Sequence, residues 1–456
     1  MNARTNTQKR HPPGPKGGLL LGSLRDFSHD PPAYLVHLAE EYGPISRLRI
    51  GPFWVYVIAH PVYLREVLIG QAANFPKARL SQQILGKFLG HGLLLSNGDF
   101  HRQQRALIQP AFHARRVEAY GRTMVEHTQN MLADWRPGQV LDIDREMMRL
   151  TMFIVAKTLF DADVSKTAQR AGEAIQELQE AANLEYKRSF AIPMWLPTPN
   201  NRRIQRATAI VDEVVEGVIA ERRAKASDGQ VEDTGDLLSM LLLAQTEDDR
   251  PMDDRQIRDE AVTLFAAGHE TTSNALTWTW YFLAQHPDVE ARLHAELQAV
   301  LNGRAPTVAD LRDLPYTEMV LKESMRLRPP AWILNGRTTL QETTIGGYTI
   351  PVGSTVFVSP YQLHRLPEYF PDPERFDPDR FSPENEKKLP RYAYLPFGAG
   401  PRICIGNAFA MMEARLILAT VAQHFCLEMV PGQTAEMSPL ITLAPAGSLQ
   451  MKATAR

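Results

Sequence analysis

Thiols are scarce in this chain, with two cysteines among 456 residues. Two cannot build a disulfide framework, and their rarity fits a reducing, cytoplasmic compartment. Charge of one sign is also lacking. Fifty basic and 52 acidic residues leave a formal net charge of −2. That balance gives no whole-chain argument for nucleic acid or an anionic membrane. Long apolar runs are missing as well. The polar opening MNARTNTQKRHPPGPKGG has no signal core, and Leu19–Leu21 falls far short of the about 20 apolar residues that cross a bilayer. No G-x-G-x-x-G marks a dinucleotide module, and no repeat recurs at solenoid periods. What remains is a soluble globular protein, expected as a monomer without a membrane anchor, with a flexible lead-in over about residues 1–20.

Hydrophobic residues make up 44% of the chain and charged residues 22%, enough to bury a substantial core. The pattern is mainly α with small β-sheets (α+β). Two β-type runs, Ile45–Ile50 and Trp54–Ala59, flank Gly51-Pro52 as a hairpin. From about 98 to 325 the periodicity is mostly helical, broken by the polar loop Lys225–Asp236. The longest helix is expected over Asp254–Gln285, roughly 48 Å at about 1.5 Å per residue. Another spans Pro315–Leu327 and stops at two prolines. Strands Thr343–Ile345 and Tyr348–Ile350 flank Gly346-Gly347, and Thr355–Ser359 follows. A proline-rich stretch, Leu366–Pro396, precedes a helix over Ile405–His424, and the tail from about 427 reads as short strands. Because the β pieces (about 45–60, 343–360 and 427–456) can pair across the chain, a single domain over 1–456 is expected.

Cys426 reads as a small buried hydrophobe. Cys404 does not. It sits in FGAGPRICIG, after Phe397, Gly398, Gly400 and Arg402 and before Gly406. Glycines at that density let backbone approach a neighbour closely. A helix starting at Ile405 would place Cys404 at its N-terminus, where free N–H groups and Arg402 stabilise a thiolate. A thiolate serves as nucleophile, redox centre or metal ligand. No base is marked for a nucleophile, no resolving cysteine lies in the loop, and Cys404, His424 and Cys426 match no usual zinc spacing. An axial thiolate on haem iron remains, and without C-x-x-C-H the haem would be held non-covalently.

FGAGPRICIG matches at every fixed position the signature Phe-x-x-Gly-x-Arg-x-Cys-x-Gly of the cytochrome P-450 family, which this chain resembles over its whole length. The resemblance implies haem b, Cys404 as axial iron ligand, Phe397, Gly398, Arg402 and Gly406 around the porphyrin, and a long central helix above it. AGHETT, residues 267–272, is similar to the family's oxygen-activation motif. On that match Ala267 and Gly268 leave room for O2, Thr271 hydrogen-bonds the reduced oxygen, and Glu270 relays protons from solvent. The cost of a mid-helix glycine, about 1 kcal/mol, independently suggests that something is accommodated there. ESMR resembles the Glu-x-x-Arg motif, so Glu323 and Arg326 would join Arg380 of PDRF in a buried charge network. Asp379 stands where the family more often has glutamate. His101, Arg105, Arg402 and Arg337 match propionate-binding positions, with histidine at 101 where tryptophan is common.

The family's variable pocket segments here contain Ile84, Phe88, Leu89, Leu93, Phe190, Ile192, Trp195, Trp332, Ile333 and Leu334, together with Leu443–Leu449. A mainly apolar pocket and a lipophilic substrate (fatty acid, terpenoid, steroid or similar) are implied. The HETT and PPGP sequences look more like fatty-acid and drug-oxidising members. Electrons from NAD(P)H would arrive through a separate ferredoxin or flavodoxin, docking where Lys387, Lys388 and Arg391 lie. The expected activity is a haem-thiolate monooxygenase. The alternatives are a peroxide-using or O2-independent haem-thiolate enzyme, which tends to lack the acid–threonine pair, and a non-catalytic haem sensor.

Overall fold

The computed structural model describes residues 10–162, 167–188, 190–225, 232–244 and 252–456. The lead-in expected to be flexible is tied down from Arg10 onward. Thr349 N–H donates to Arg10 O at 2.8 Å and Arg47 N–H to Pro13 O at 2.9 Å, so residues 10–13 add backbone bonds to β structure on both sides of the chain. Residues 1–9 of that lead-in lie outside the described residues, as do 226–231 of the expected polar loop.

Strands β1 (Ile45–Ile50) and β2 (Phe53–Ile58) form the expected hairpin. β3 is Val140–Asp142, β4 is Arg337–Thr338, and β5 (Thr343–Ile345) and β6 (Tyr348–Ile350) turn at the two glycines. β7 is Thr355–Val358, β8 Phe425–Met429, β9 Met437–Pro439, β10 Leu443–Pro445 and β11 Gln450–Ala455. Two sheets bind distant parts of the chain. β2 pairs in parallel with β7 inside the order β1-β2-β7-β4, and β11 joins β3 to β8. Early and late segments therefore share ladders, the expected cross-chain pairing.

The helices that build the site are α1 (Arg79–Leu89), α2 (Gly98–Ile108), α3 (Ala114–Ala133), α4 (Ile143–Phe160), α5 (Ala168–Arg188), α6 (Pro199–Ala224), α7 (Asp254–Gln285), α8 (Pro315–Leu327) and α9 (Asn407–His424). Short helices at Leu24–His29 and Pro31–Tyr42, and α1, precede the expected helical region. α7 has the expected bounds. The Asp253 carboxylate accepts from Gln256 N–H at 2.8 Å to start it, and His286-Pro287 ends it. It is buried on almost every side, against α4, α6, α8 and α9, so its apolar residues run around the whole helix instead of along one stripe.

Candidate active site

Five basic side chains converge from four places: Lys77, His101 and Arg105 on α2, Arg337 on β4, and Arg402 in the cysteine loop. A backbone bridge between Lys77 and Arg337 joins two of them, held by Ala78 N–H to Gly336 O at 2.7 Å and Thr338 N–H to Pro76 O at 3.0 Å. Burial, then the charges of Arg402, Arg105, Lys77 and Arg337, push His101 down to about 3. Burial likewise lowers Arg402 and Arg337 to about 10, with neighbouring arginines adding to the effect on Arg402. Lys77 falls well below the ordinary lysine range through burial and the two arginines. Among the described residues none of the five has a carboxylate partner, and Arg402 Nη1 is buried with no acceptor. Three buried or half-buried arginines with Lys77 and the neutral donor His101, without a counter-charge, fit an anionic ligand. Two propionates would satisfy it. The expected residues His101, Arg105, Arg337 and Arg402 are thus brought together, and Lys77 is an addition. FPKARL gives no local signal for it; only the long-range bridge reveals its place.

The loop after Phe397 is held by Cys404 N–H donating to Phe397 O at 2.9 Å. Gly400 has φ +70, and a Cβ there would lie 2.2 Å from Leu68 O, so only glycine fits. Residues 400–402 form a short 3-10 turn, and α9 begins at Asn407 rather than Ile405. Cys404 therefore lies three residues before the first helical residue and two before the N-cap Gly406, whose N–H is the helix-start group that acts on its sulfur. Burial in the surrounding protein raises the thiol, opposed by the Gly406 N–H and by Arg105. The Arg105 guanidinium is fixed there by its bond to Ile403 O at 2.9 Å. Cys404 keeps an exposed surface.

That exposure has a counterpart on α7. Ala267 is the one exposed residue between Asp259 and Trp280. Ala267, expected to leave room at mid-helix, is thus placed on open surface. Gly268 also serves packing: a Cβ there would come within 3.1 Å of Val155 Cγ2. Its missing side chain lets α4 pack against α7, and Gly268 itself keeps part-exposed surface next to Ala267. Thr271 is part-exposed on the same stretch, its hydroxyl donating to Ala267 O at 2.8 Å. Glu270 points elsewhere. It is buried, with donors Thr442 Oγ1 on Oε1 and Gln179 Nε2 on Oε2. Burial dominates and lifts its carboxyl to about 7, with Asp144 adding to the rise. The acid expected to relay protons from solvent is enclosed, and neither Gln179 nor Thr442 carries a sequence signal.

Below, Glu323 and Arg326 pair as expected. Arg380 joins them at 3.4 Å from Nε to Glu323 Oε1 and also donates to Asp372 O at 2.9 Å. Trp332, Ile333, Leu334 and Phe190 line a largely apolar cavity of about 740 Å³ with Leu85, Tyr186 and Leu440. Ile84, Phe88, Leu89 and Leu93 do not border it and pack in the core. Trp195 is 79% exposed and so lies on the surface, outside that cavity.

A free cysteine, a cationic cradle and an opened central helix define a haem-thiolate protein. The chain belongs to the cytochrome P450 family, whose model matches residues 12–452. It is 40% identical to cyclooctat-9-en-7-ol 5-monooxygenase of Streptomyces melanosporofaciens, over 91% of this chain and 89% of that protein. It is 38% identical to cyclooctatin synthase of the same organism, over 97% and 95%. Pentalenene oxygenase of Streptomyces avermitilis is 33% identical, over 93% of each. Retinoic acid bound cyanobacterial CYP120A1 superposes with a TM-score of 0.87 at 27% identity, covering 99% of this chain and 100% of that one. The chain is thus a monooxygenase that uses haem iron and O2 to insert oxygen into a lipophilic substrate, with electrons from a redox partner. No described helix is long and apolar enough to cross a membrane.

Proposed function

We propose that the substrate is a terpenoid, and that Glu270 and Thr271 manage the protons of its oxidation. Relatives named for cyclooctat-9-en-7-ol and pentalenene support the substrate class, as does an apolar cavity of about 740 Å³. Haem b, when bound, supplies the iron at which O2 is reduced with electrons that originate from NAD(P)H. Cys404 Sγ is the residue to ligate that iron, and the basic cluster of Lys77, Arg105, Arg337 and Arg402 with the neutral donor His101 is the place for the propionates. Each propionate would relieve the mutual repulsion of these side chains.

The observation that carries the proton reading is a buried carboxyl lifted to about 7 beside a part-exposed hydroxyl. A group with a pKa near the working pH both takes and gives protons readily. Glu270 therefore stores a proton, and Thr271 Oγ1, now bonded to Ala267 O, offers a donor on the open side of α7. Water reaching the open side without this order would let reducing equivalents escape as peroxide. The presence of both residues favours O2 chemistry over a peroxide-using or rearranging enzyme. Both cysteines are free, which supports a cytoplasmic setting. Exposed Lys387, Lys388 and Arg391 offer positive charge to an acidic ferredoxin or flavodoxin, and the protein is inferred to act as a monomer.

The test is NADPH-driven oxygen consumption with a surrogate ferredoxin and its reductase, using cyclooctat-9-en-7-ol as probe substrate. Thr271→Ala is expected to lower the ratio of product to oxygen consumed several-fold and raise peroxide. An unchanged ratio would remove Thr271 from the proton path. Absence of any spectral shift on adding cyclooctat-9-en-7-ol or pentalenene would argue against the terpenoid assignment.

A further inference from the structure

Glu270 and Thr271 are neighbours in sequence, yet their side chains do not meet. Both carboxyl oxygens of Glu270 are engaged by groups from outside α7. Thr442 Oγ1 donates to Oε1 and Gln179 Nε2 to Oε2. Thr442 also accepts from Asn274 Nδ2 at 3.1 Å, one turn along α7. All four side chains are buried. Thr271 spends its own donor on Ala267 O. The acid and the alcohol are therefore separated in this state, with their side chains bonded to different partners.

The two donors come from elements with a second role. Gln179 lies on α5, whose Asn183, Tyr186 and Lys187 line the large apolar cavity. Thr442 lies in the turn between β9 and β10, directly after Leu440 and Ile441, which line the same cavity. The walls that meet a ligand and the groups that hold the acid are thus carried by the same two elements. Asp144 on α4 is the charged group acting on Glu270, whereas Gln179, Thr442 and Asn274 are neutral.

We propose that Gln179 and Thr442 are positioning residues that clasp the Glu270 carboxyl away from Thr271, so that proton delivery is set by where α5 and the β9–β10 turn stand. The proposal rests on the reading of Glu270 as proton carrier. A clasp of this kind restrains oxygen reduction until the cavity walls are in place. The two donors lower the Glu270 pKa against the rise from burial, because each stabilises the carboxylate. Removing either must raise it further while loosening the acid.

Two measurements on the haem-loaded protein test this. Difference infrared spectroscopy, with the Glu270 band assigned by its loss in Glu270→Gln, follows the carboxyl against pH. The midpoint near 7 is expected to move upward in Thr442→Val and in Gln179→Leu, and to stay in place in Thr442→Ser, which keeps the hydroxyl. Without substrate, NADPH oxidation through the surrogate partners is expected to rise threefold or more in the first two variants and not in Thr442→Ser. An unmoved midpoint in both variants, no rise in the leak, or equal changes in Thr442→Ser would overturn the clasp. If Glu270→Gln couples oxygen to product normally, the carrier reading fails instead, a result separate from the infrared titration.

Discussion

Arg326 donates Nε to Glu323 Oε2 at 2.7 Å and Nη2 to Glu323 Oε1 at 2.8 Å, and neither side chain has any exposed surface. The remaining valences of the guanidinium are filled by carbonyls of His364 at 3.0 Å, Pro373 at 2.7 Å and Arg375 at 3.1 Å. Glu323 also accepts from Asp377 N–H at 2.8 Å. The pair therefore pins α8 to residues 364–377, the stretch that leads into the cysteine loop. Arg326→Leu strands a buried carboxylate and three carbonyls, and is expected to cost about 3–5 kcal/mol. Arg326→Lys offers a point charge without the fork and should recover little. Denaturant unfolding of both variants checks this, and a lysine variant as stable as the parent would refute it.

The cradle of cations carries a prediction of opposite signs. Arg337 is buried and faces Lys77 and Arg402 with no carboxylate partner among the described residues. In the haem-free chain it is a burden, and with haem bound it is a partner for a propionate. Arg337→Met is expected to stabilise the haem-free protein by about 1–2 kcal/mol and to speed haem loss roughly tenfold. Thermal unfolding of the haem-free form and haem transfer to an excess of apomyoglobin read the two effects. Changes in the same direction would mean that Arg337 does not face the propionates.

How much of this could be read from the residues alone differs between local and convergent features. The bounds of α7 were legible because Asp253 and His286-Pro287 punctuate it locally, and the β5–β6 hairpin because Gly346-Gly347 demands its turn. Glu323 and Arg326 were legible because three residues on a helix share a face. Lys77 was not, since its role depends on pairing with residues 260 positions away. Gln179 and Thr442 were hidden for the same reason: each reaches Glu270 from a distant element. The start of α9 was placed two residues early because Ile405 continues its apolar face, whereas Gly406 caps the helix.

Glu260, one turn into the buried part of α7, should give a pH-dependent stability. Its carboxyl holds the loop after α1, with Leu93 N–H at 2.8 Å on Oε2, and Gln256 Nε2 at 2.7 Å on Oε1. Burial, with a smaller push from Asp259, lifts it from 4.5 to about 7. The folded pKa lies above the unfolded one, so protonation favours the fold. That contribution is complete below about pH 4.5 and is lost as the pH rises through 7. Glu260→Gln keeps an acceptor for Leu93 without the charge. It is expected to gain stability relative to the parent at pH 8, by up to about 3 kcal/mol, and to show no such gain at pH 4.5. A Tm difference between the two proteins that stays constant from pH 4.5 to 8 would refute the assignment.

Arg105 should decide how readily Cys404 is held as thiolate. Burial raises the thiol, and the Gly406 N–H and the Arg105 guanidinium pull the other way. Only the thiolate is an effective iron ligand. Arg105→Met removes the cation and leaves the N–H, so the thiol must rise further. Thiolate ligation should then fail first at low pH, with the midpoint moved upward from that of the parent. The reduced carbon monoxide spectrum, titrated downward in pH, reports the fraction still thiolate-ligated. Cys404→Ser is expected to lack the thiolate-type spectrum at every pH, which separates loss of the ligand from loss of its support. An Arg105→Met protein that keeps the parent's midpoint would show that Gly406 alone stabilises the sulfur.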